Sequence, residues 1–304
     1  MAEWANGFWW SRDGLRLHYR EYGRDAGGIP IICMPDLTRN ARDYAPFADA
    51  LASDRRLLCV DFRGRGESAY APDSLSYMPV TYVQDMESLI AELKLDRFIL
   101  LGTGAGAVVA MLLAAAGVSR VAGIVLNDRG PHAEPEALSR AREQAGRSGA
   151  WPTWLHAARA IAETNGEDHP GWSLDDWLAM AKRVCRLTPQ GRIVLDYDLR
   201  LADTLRLPAV EPGVDLWDVF DAIASVPMLL VKGERSQFLS EATLEMMAAR
   251  HPGLSTVVVP RVGHSPMLTE PNALGALEAF FDRTAGPVAD GDRPTGLSRS
   301  DGMH

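Results

Sequence analysis

His264 stands in the segment "VGHSPM", and histidine is the side chain whose ordinary pKa lets it take and give protons near neutrality. Two carboxylates are candidates to serve it. Asp128 closes the run "VAGIVLND", where it either orients the imidazole or only shapes the turn Asn-Asp-Arg-Gly-Pro. Asp36, in "PIICMPDLTRN", either points into a site as a general acid, base or nucleophile, its pKa raised under an apolar cover, or points outward and caps its loop. The run "ILLGTGAGAVVAMLLAA", residues 99 to 115, has the pattern of a strand, a tight glycine-rich turn and a helix, and at the apex stands Gly104. Thr103 and Ser265 flank the region without occupying that apex. The amide of Ala105, at a helix N-terminus, and that of Leu37 remain as donors for an enolate, carboxylate or carbonyl oxygen. Arg129 and the arginines of "FRGRGE" are candidates for meeting an acidic substrate.

These residues need a scaffold, and the chain offers one. Short apolar runs bounded by turn residues ("GFWWSR", "LRLHYREYG", "PIICMP", "RLLCVD", "RFILLG", "VAGIVLND", "PMLLVKGE" and "STVVVPRV") alternate with helical patterns. This predicts a mostly parallel sheet with helices on both faces. The first two runs are separated by Asp13-Gly14, a hairpin turn that makes the sheet begin antiparallel. Helical spacing falls on "RNARDYAPFADALAS", "VTYVQDMESLIAELK", residues 104–116, "EATLEMMAAR" and "NALGALEAFFDR", with Ser240 as N-cap of the fourth and Pro271 opening the last.

Between Pro131 and about Val219 no strand run stands out, and five of the eight tryptophans, Trp151, Trp154, Trp172, Trp177 and Trp217, lie there. The segment reads as a helical insertion covering a site at the strand ends, with Trp154 and Trp177 facing substrate, or as rings that only bind a helical layer together. The expected organisation is therefore a core over 1–130, a helical lid over 131–219, the rest of the core over 220–284, and a disordered Gly-, Pro-, Asp- and Ser-rich tail over 285–304.

With 304 residues, 47% of them hydrophobic and 23% charged, the chain can bury a sizeable core. A net charge of −9 argues against a nucleic-acid partner. Cys33, Cys59 and Cys185 lack metal-ligand spacing and read as buried free thiols. The histidines are scattered, so neither a metal nor another cofactor is called for. "GTGAGA" departs from a dinucleotide fingerprint, because residue 107 is alanine and the strand before it is the fifth. The N-terminus shows neither a signal peptide nor a membrane span, which gives a cytoplasmic expectation and leaves a homodimer open.

Several of these segments, in this order, resemble the α/β-hydrolase superfamily over residues 8 to 284. "PIICMPDLTRNARDYAPFA" is similar to the oxyanion segment after the third strand, "CVDFRGRGES" to the turn after the fourth, "GTGAG" to the nucleophile elbow, "LLVKGERSQFLS" to the acid-bearing loop and "VPRVGHSPMLTEP" to the histidine loop. The resemblance implies an eight-stranded α/β-hydrolase fold with Gly102 and Gly106 as the small elbow residues. It also exposes three departures. Gly104 replaces the nucleophile, Gln237 stands at the acid position, and Asp36 occupies a place where the oxyanion motif normally has glycine, so that a carboxylate would oppose a developing oxyanion. Only His264 is kept.

The expected function is a cofactor-free enzyme in which His264, with Asp128 or Asp36, moves protons on a small, largely apolar substrate, for elimination, isomerisation, cyclisation, carbon–carbon bond chemistry or water-mediated hydrolysis. The alternatives are a non-catalytic small-molecule-binding relative, and an ester hydrolase with a displaced nucleophile.

Overall fold

The computed structural model describes residues 2–205 and 215–285. Along the chain, its strands are β1 (Trp4–Trp10), β2 (Arg16–Tyr22), β3 (Ile31–Met34), β4 (Leu57–Asp61), β5 (Phe98–Thr103), β6 (Val121–Asn127), β7 (Ala150–Trp151), β8 (Cys185–Leu187), β9 (Ile193–Leu195), β10 (Met228–Gly233) and β11 (Leu254–Val259). Eight of them make one sheet in the spatial order β1-β2-β4-β3-β5-β6-β10-β11. β1 pairs antiparallel with β2 and β2 with β4, and every later pairing in this sheet is parallel. This is the α/β-hydrolase architecture. The strands β3, β4, β5, β6 and β10 are buried at every residue, as unbroken apolar runs must be when helices cover both faces of a parallel sheet. Edge strand β1 instead alternates in exposure.

The helices, again along the chain, are α1 (Ala45–Leu51), α2 (Pro79–Glu92), α3 (Ala105–Ala116), α4 (Pro135–Ala145), α5 (Trp154–Asn165), α6 (Leu174–Val184), α7 (Leu201–Leu205), α8 (Trp217–Ala222), α9 (Glu241–Arg250) and α10 (Pro271–Ala285). Of these, α1, α2, α3, α9 and α10 flank the main sheet. Phe47, Phe280 and Phe281 fill one layer; Met86, Val109, Met111 and Phe220 fill the other. Ser240 caps α9 by accepting from the amide of Thr243. Cys33, Cys59 and Cys185 are buried and free. Arg63 is 1% exposed yet satisfied by two carboxylates, Asp85 and Asp13, so the turn after β4 is tied to α2 and to the first hairpin. None of the helices among the described residues is long and apolar enough to cross a membrane.

Between β6 and β10 the chain inserts α4 to α8 together with β7, β8 and β9. A wholly helical insertion is the expectation here, but β7, β9 and β8 form a small antiparallel sheet. Strands of two or three residues are too short to display alternation, and only the turn at Gly191, with φ +75°, marks them locally. Trp177, Ala157, Ala158, Ile161 and Met180 form the insertion's own core, and Trp151, Trp154 and Trp172 pack on it. Of the tail expected over 285–304, Ala285 ends α10 and the rest lies outside the described residues.

Candidate active site

Four loops at the carboxyl ends of parallel strands converge, which is where open α/β sheets place their sites. Gly104 ends the turn after β5 with φ +51° and ψ −113°, a conformation that costs a non-glycine residue energy. The turn is also close-packed: a Cβ on Gly102 would collide with the carbonyl oxygen of Gly106, and one on Gly106 with that of Met34. Small residues on both sides of the apex are thus required by the approach of strand and helix.

Asp36, carried by the loop after β3, turns inward over Gly104. Its Oδ1 accepts from the amide of Leu37 and from that of Ala105, each at 2.7 Å. The two donors expected to be open for substrate are therefore occupied by the protein's own carboxylate. Arg65, buried after β4, donates from Nε to the carbonyl oxygen of Leu37 at 2.7 Å and so fixes the backbone of that loop. The other oxygen of Asp36, Oδ2, lies 3.4 Å from Nε2 of His264.

Asp128 closes β6 with φ +57°, fully buried. Its Oδ2 is 2.7 Å from Nδ1 of His264 and its Oδ1 accepts from the amide of Gly233 at 3.0 Å. The imidazole is thus held between two carboxylates, with the ring of Phe238 stacked on it at 3.8 Å between centroids. Burial works against a charged imidazolium, but the bonds to Asp128 and Asp36 and their negative charge outweigh it and hold the His264 pKa up at about 9. Burial should raise the Asp36 pKa, as expected for an apolar cover. The bond and charge of His264, followed by the amides of Ala105 and Leu37, reverse that and bring it down to about 2. At neutral pH the pair is Asp36 carboxylate and His264 imidazolium.

A cavity of about 480 Å³ opens onto this group, within the range of small-molecule sites. Asp36, Leu37, Gly104, Ala105, Arg129, Gln237 and His264 line it. Gln237, which the resemblance aligns with the family's acid, is exposed and accepts from Arg140 rather than meeting the histidine. Thr103 faces elsewhere, its hydroxyl engaged with Tyr44 and Asn127. Trp154 and Trp177 do not line the cavity, because an isolated helical layer must bury its largest rings in its own core to hold together. The arginines of "FRGRGE" are likewise internal: Arg63 pairs with carboxylates and Arg65 binds Leu37, Arg63 and Tyr82.

Two further site residues are invisible to a reading of the sequence. Asp168, from the insertion, accepts from the amide of His264 at 3.0 Å through Oδ1, while its carbonyl oxygen accepts from Gly263 at 2.7 Å. Gly263 must be glycine for this docking, since a Cβ there would collide with Asp168 Oδ1. Phe238 is the other. Neither has a local signal, as each matters only through the fold that brings it to the imidazole.

The family model for the alpha/beta hydrolase family matches residues 31–277, and the chain belongs to that family. It is 32% identical to the 3-hydroxybutyrate-oligomer hydrolase of Cupriavidus necator, over 88% of this chain and 92% of the relative. With the N-formylmaleamate deformylase of Pseudomonas putida it shares 35% identity over 90% and 94% of the two chains. An alpha/beta hydrolase crystal structure from Novosphingobium aromaticivorans superposes with a TM-score of 0.88 at 45% identity, covering 93% of this chain and 99% of that one.

Proposed function

We propose that this chain is an enzyme that works without a serine nucleophile and without a cofactor, using Asp36, His264 and Asp128 for acid–base chemistry on a small molecule. The observation that carries this is the 3.4 Å approach of Asp36 Oδ2 to His264 Nε2 above a side-chain-free Gly104. His264 holds the proton and donates it to a leaving oxygen or a developing carbanion. Asp36 is the acceptor, taking a proton from the substrate or from a water molecule. In the free protein each group stabilises the other's charge. A substrate that engages both groups must part them, which removes some of that stabilisation, so the carboxylate becomes a stronger base and the imidazolium a stronger acid. Asp128, sealed from solvent, keeps the ring oriented throughout. The insertion acts as a lid, with Asp168 fastening it to the histidine loop.

This pairing suits elimination, isomerisation, cyclisation or carbon–carbon bond chemistry. Hydrolysis by activated water belongs to the same class but requires that Asp36 release the amides of Leu37 and Ala105 to the tetrahedral oxyanion. Relatives named as a hydrolase and a deformylase support an enzyme. The filled amide pair favours a second reading, a non-catalytic binding protein.

The test is turnover across panels of small esters, amides and β-hydroxy acids, followed by mass spectrometry. Turnover that is insensitive to fluorophosphonate and abolished in Asp36→Asn and in His264→Ala is expected. Saturable ligand binding with no turnover on any panel would establish the binding protein, and labelling of a cavity serine such as Ser265 would establish an ester hydrolase with a displaced nucleophile.

A further inference from the structure

Arg129 differs from the other deeply buried arginines. Arg63 is met by the carboxylates of Asp85 and Asp13, and Arg65 by two carbonyl oxygens and the hydroxyl of Tyr82. Arg129 is 7% exposed, lines the cavity, and its guanidinium makes one hydrogen bond among the described residues, from Nη1 to the carbonyl oxygen of Gly130 at 3.0 Å. A guanidinium carries five N–H donors in a fixed fork. The unused ones are not sealed inside protein, for none of them is among the buried polar atoms left without a partner. They face the cavity. Burial pushes the Arg129 pKa down to about 10, and the negative charge of Asp36 opposes this without forming an ion pair. The cavity wall carries both signs, with Asp36, Glu167 and Asp168 beside Arg39, Arg140 and Arg235 as well as Arg129, in a chain of net charge −9. Met78, Tyr82, Val108 and Leu216 supply apolar wall.

We propose that Arg129 is the anchor for a substrate carboxylate, so that the enzyme acts on small organic acids whose apolar portion lies along Met78, Tyr82, Val108 and Leu216. The inference rests on the acid–base reading above for what happens next, but not for binding itself. The guanidinium fork matches a carboxylate in two-point contact. An anion at Arg129 also supplies the counter-charge that no described residue brings into direct contact there.

The test is calorimetric titration of the protein with succinate and, separately, with the uncharged isostere succinamide. Wild type is expected to bind succinate and to discriminate against succinamide. Arg129→Met should weaken succinate binding by roughly 30-fold, as expected for loss of a charge-assisted hydrogen-bond pair, with Arg129→Lys recovering part of it. Without ligand, Arg129→Met should melt no lower than wild type, because an unpaired buried cation is removed; a merely structural arginine would give a lower melting temperature. His264→Ala should still bind succinate, and turnover retained in that variant would refute only the acid–base reading and leave the anchor standing. Equal affinity for succinate and succinamide, no binding of succinate by wild type, or unchanged binding in Arg129→Met would overturn the carboxylate anchor.

Discussion

The carboxylate of Asp36 occupies the volume that a side chain on Gly104 would need: a Cβ at Gly104 would overlap both Oδ1 and Cγ of the aspartate. The two residues are therefore sterically interdependent. Asp36 can turn inward because residue 104 is glycine, and its carboxylate fills the space that glycine leaves.

Gly104→Ser should consequently not restore a serine enzyme. Its side chain would displace Asp36 from the amides of Leu37 and Ala105, and turnover should fall by roughly 100-fold, the scale of losing a positioned acid–base group. The double variant Gly104→Ser with Asp36→Gly has room for the hydroxyl and open donors. Fluorophosphonate labelling checks the pair: the double variant should become labelled at the introduced hydroxyl and the single variant should not.

Charge on the Asp36–His264 pair sets the pH behaviour. His264 has its pKa raised to about 9, so its contribution to stability is complete below the ordinary value of 6.5 and is lost as pH rises through about 9. Asp36 has its pKa lowered to about 2, so its contribution is present above 3.8 and lost as pH falls through about 2. Activity that needs the imidazolium should decline as pH passes about 9. In Asp36→Asn the imidazole loses one of its two carboxylates, and NMR titration of the ring should show its pKa moved toward neutrality.

Asp128→Asn keeps an acceptor for the amide of Gly233 but removes the buried charge beside Nδ1. Turnover should drop on the order of 100- to 1000-fold, through loss of the orienting, charge-compensating partner. The alkaline limb of the rate profile should shift to lower pH, with the chain still folded by circular dichroism.

Stability should depend on Asp85 far more than on Asp13. Both bind Arg63, yet the Asp85 side chain is 2% exposed and that of Asp13 54%. Asp85→Ala strands a buried guanidinium and should cost about 3 kcal/mol. Asp13→Ala should cost at most about 1 kcal/mol, as solvent takes over the missing contact. Urea denaturation measures both.

Trp177→Ala should leave a cavity in the core of the insertion and weaken it locally by about 3 kcal/mol, visible as faster amide exchange in α5 and α6. Because Trp177 does not touch the substrate cavity, an effect on KM through a looser insertion is expected to exceed the effect on kcat.

The scaffold was legible because its signals are local. The eight strand runs of the main sheet, the Asp13-Gly14 hairpin, the Ser240 cap and the Gly102–Gly106 elbow each depend on residues a few positions apart, and each lies where the sequence puts it. The insertion was less readable: its helices follow their apolar spacing, but β7, β8 and β9 are too short for any period. Trp154 and Trp177 show the limit of composition as a guide, since tryptophan content says that rings will be buried without saying against what.

Sequence by itself determined that residue 104 is glycine and that a histidine and two aspartates stand in the neighbouring motifs, since these are matters of residue type and order along the chain. Tertiary structure alone decided that Asp36 points inward, that its Oδ1 takes both backbone amides, and that Asp128 rather than Gln237 reaches the imidazole. Those outcomes depend on loops 69 and 136 residues apart meeting within hydrogen-bond distance, and on burial and neighbouring charge acting in opposite directions on the same group.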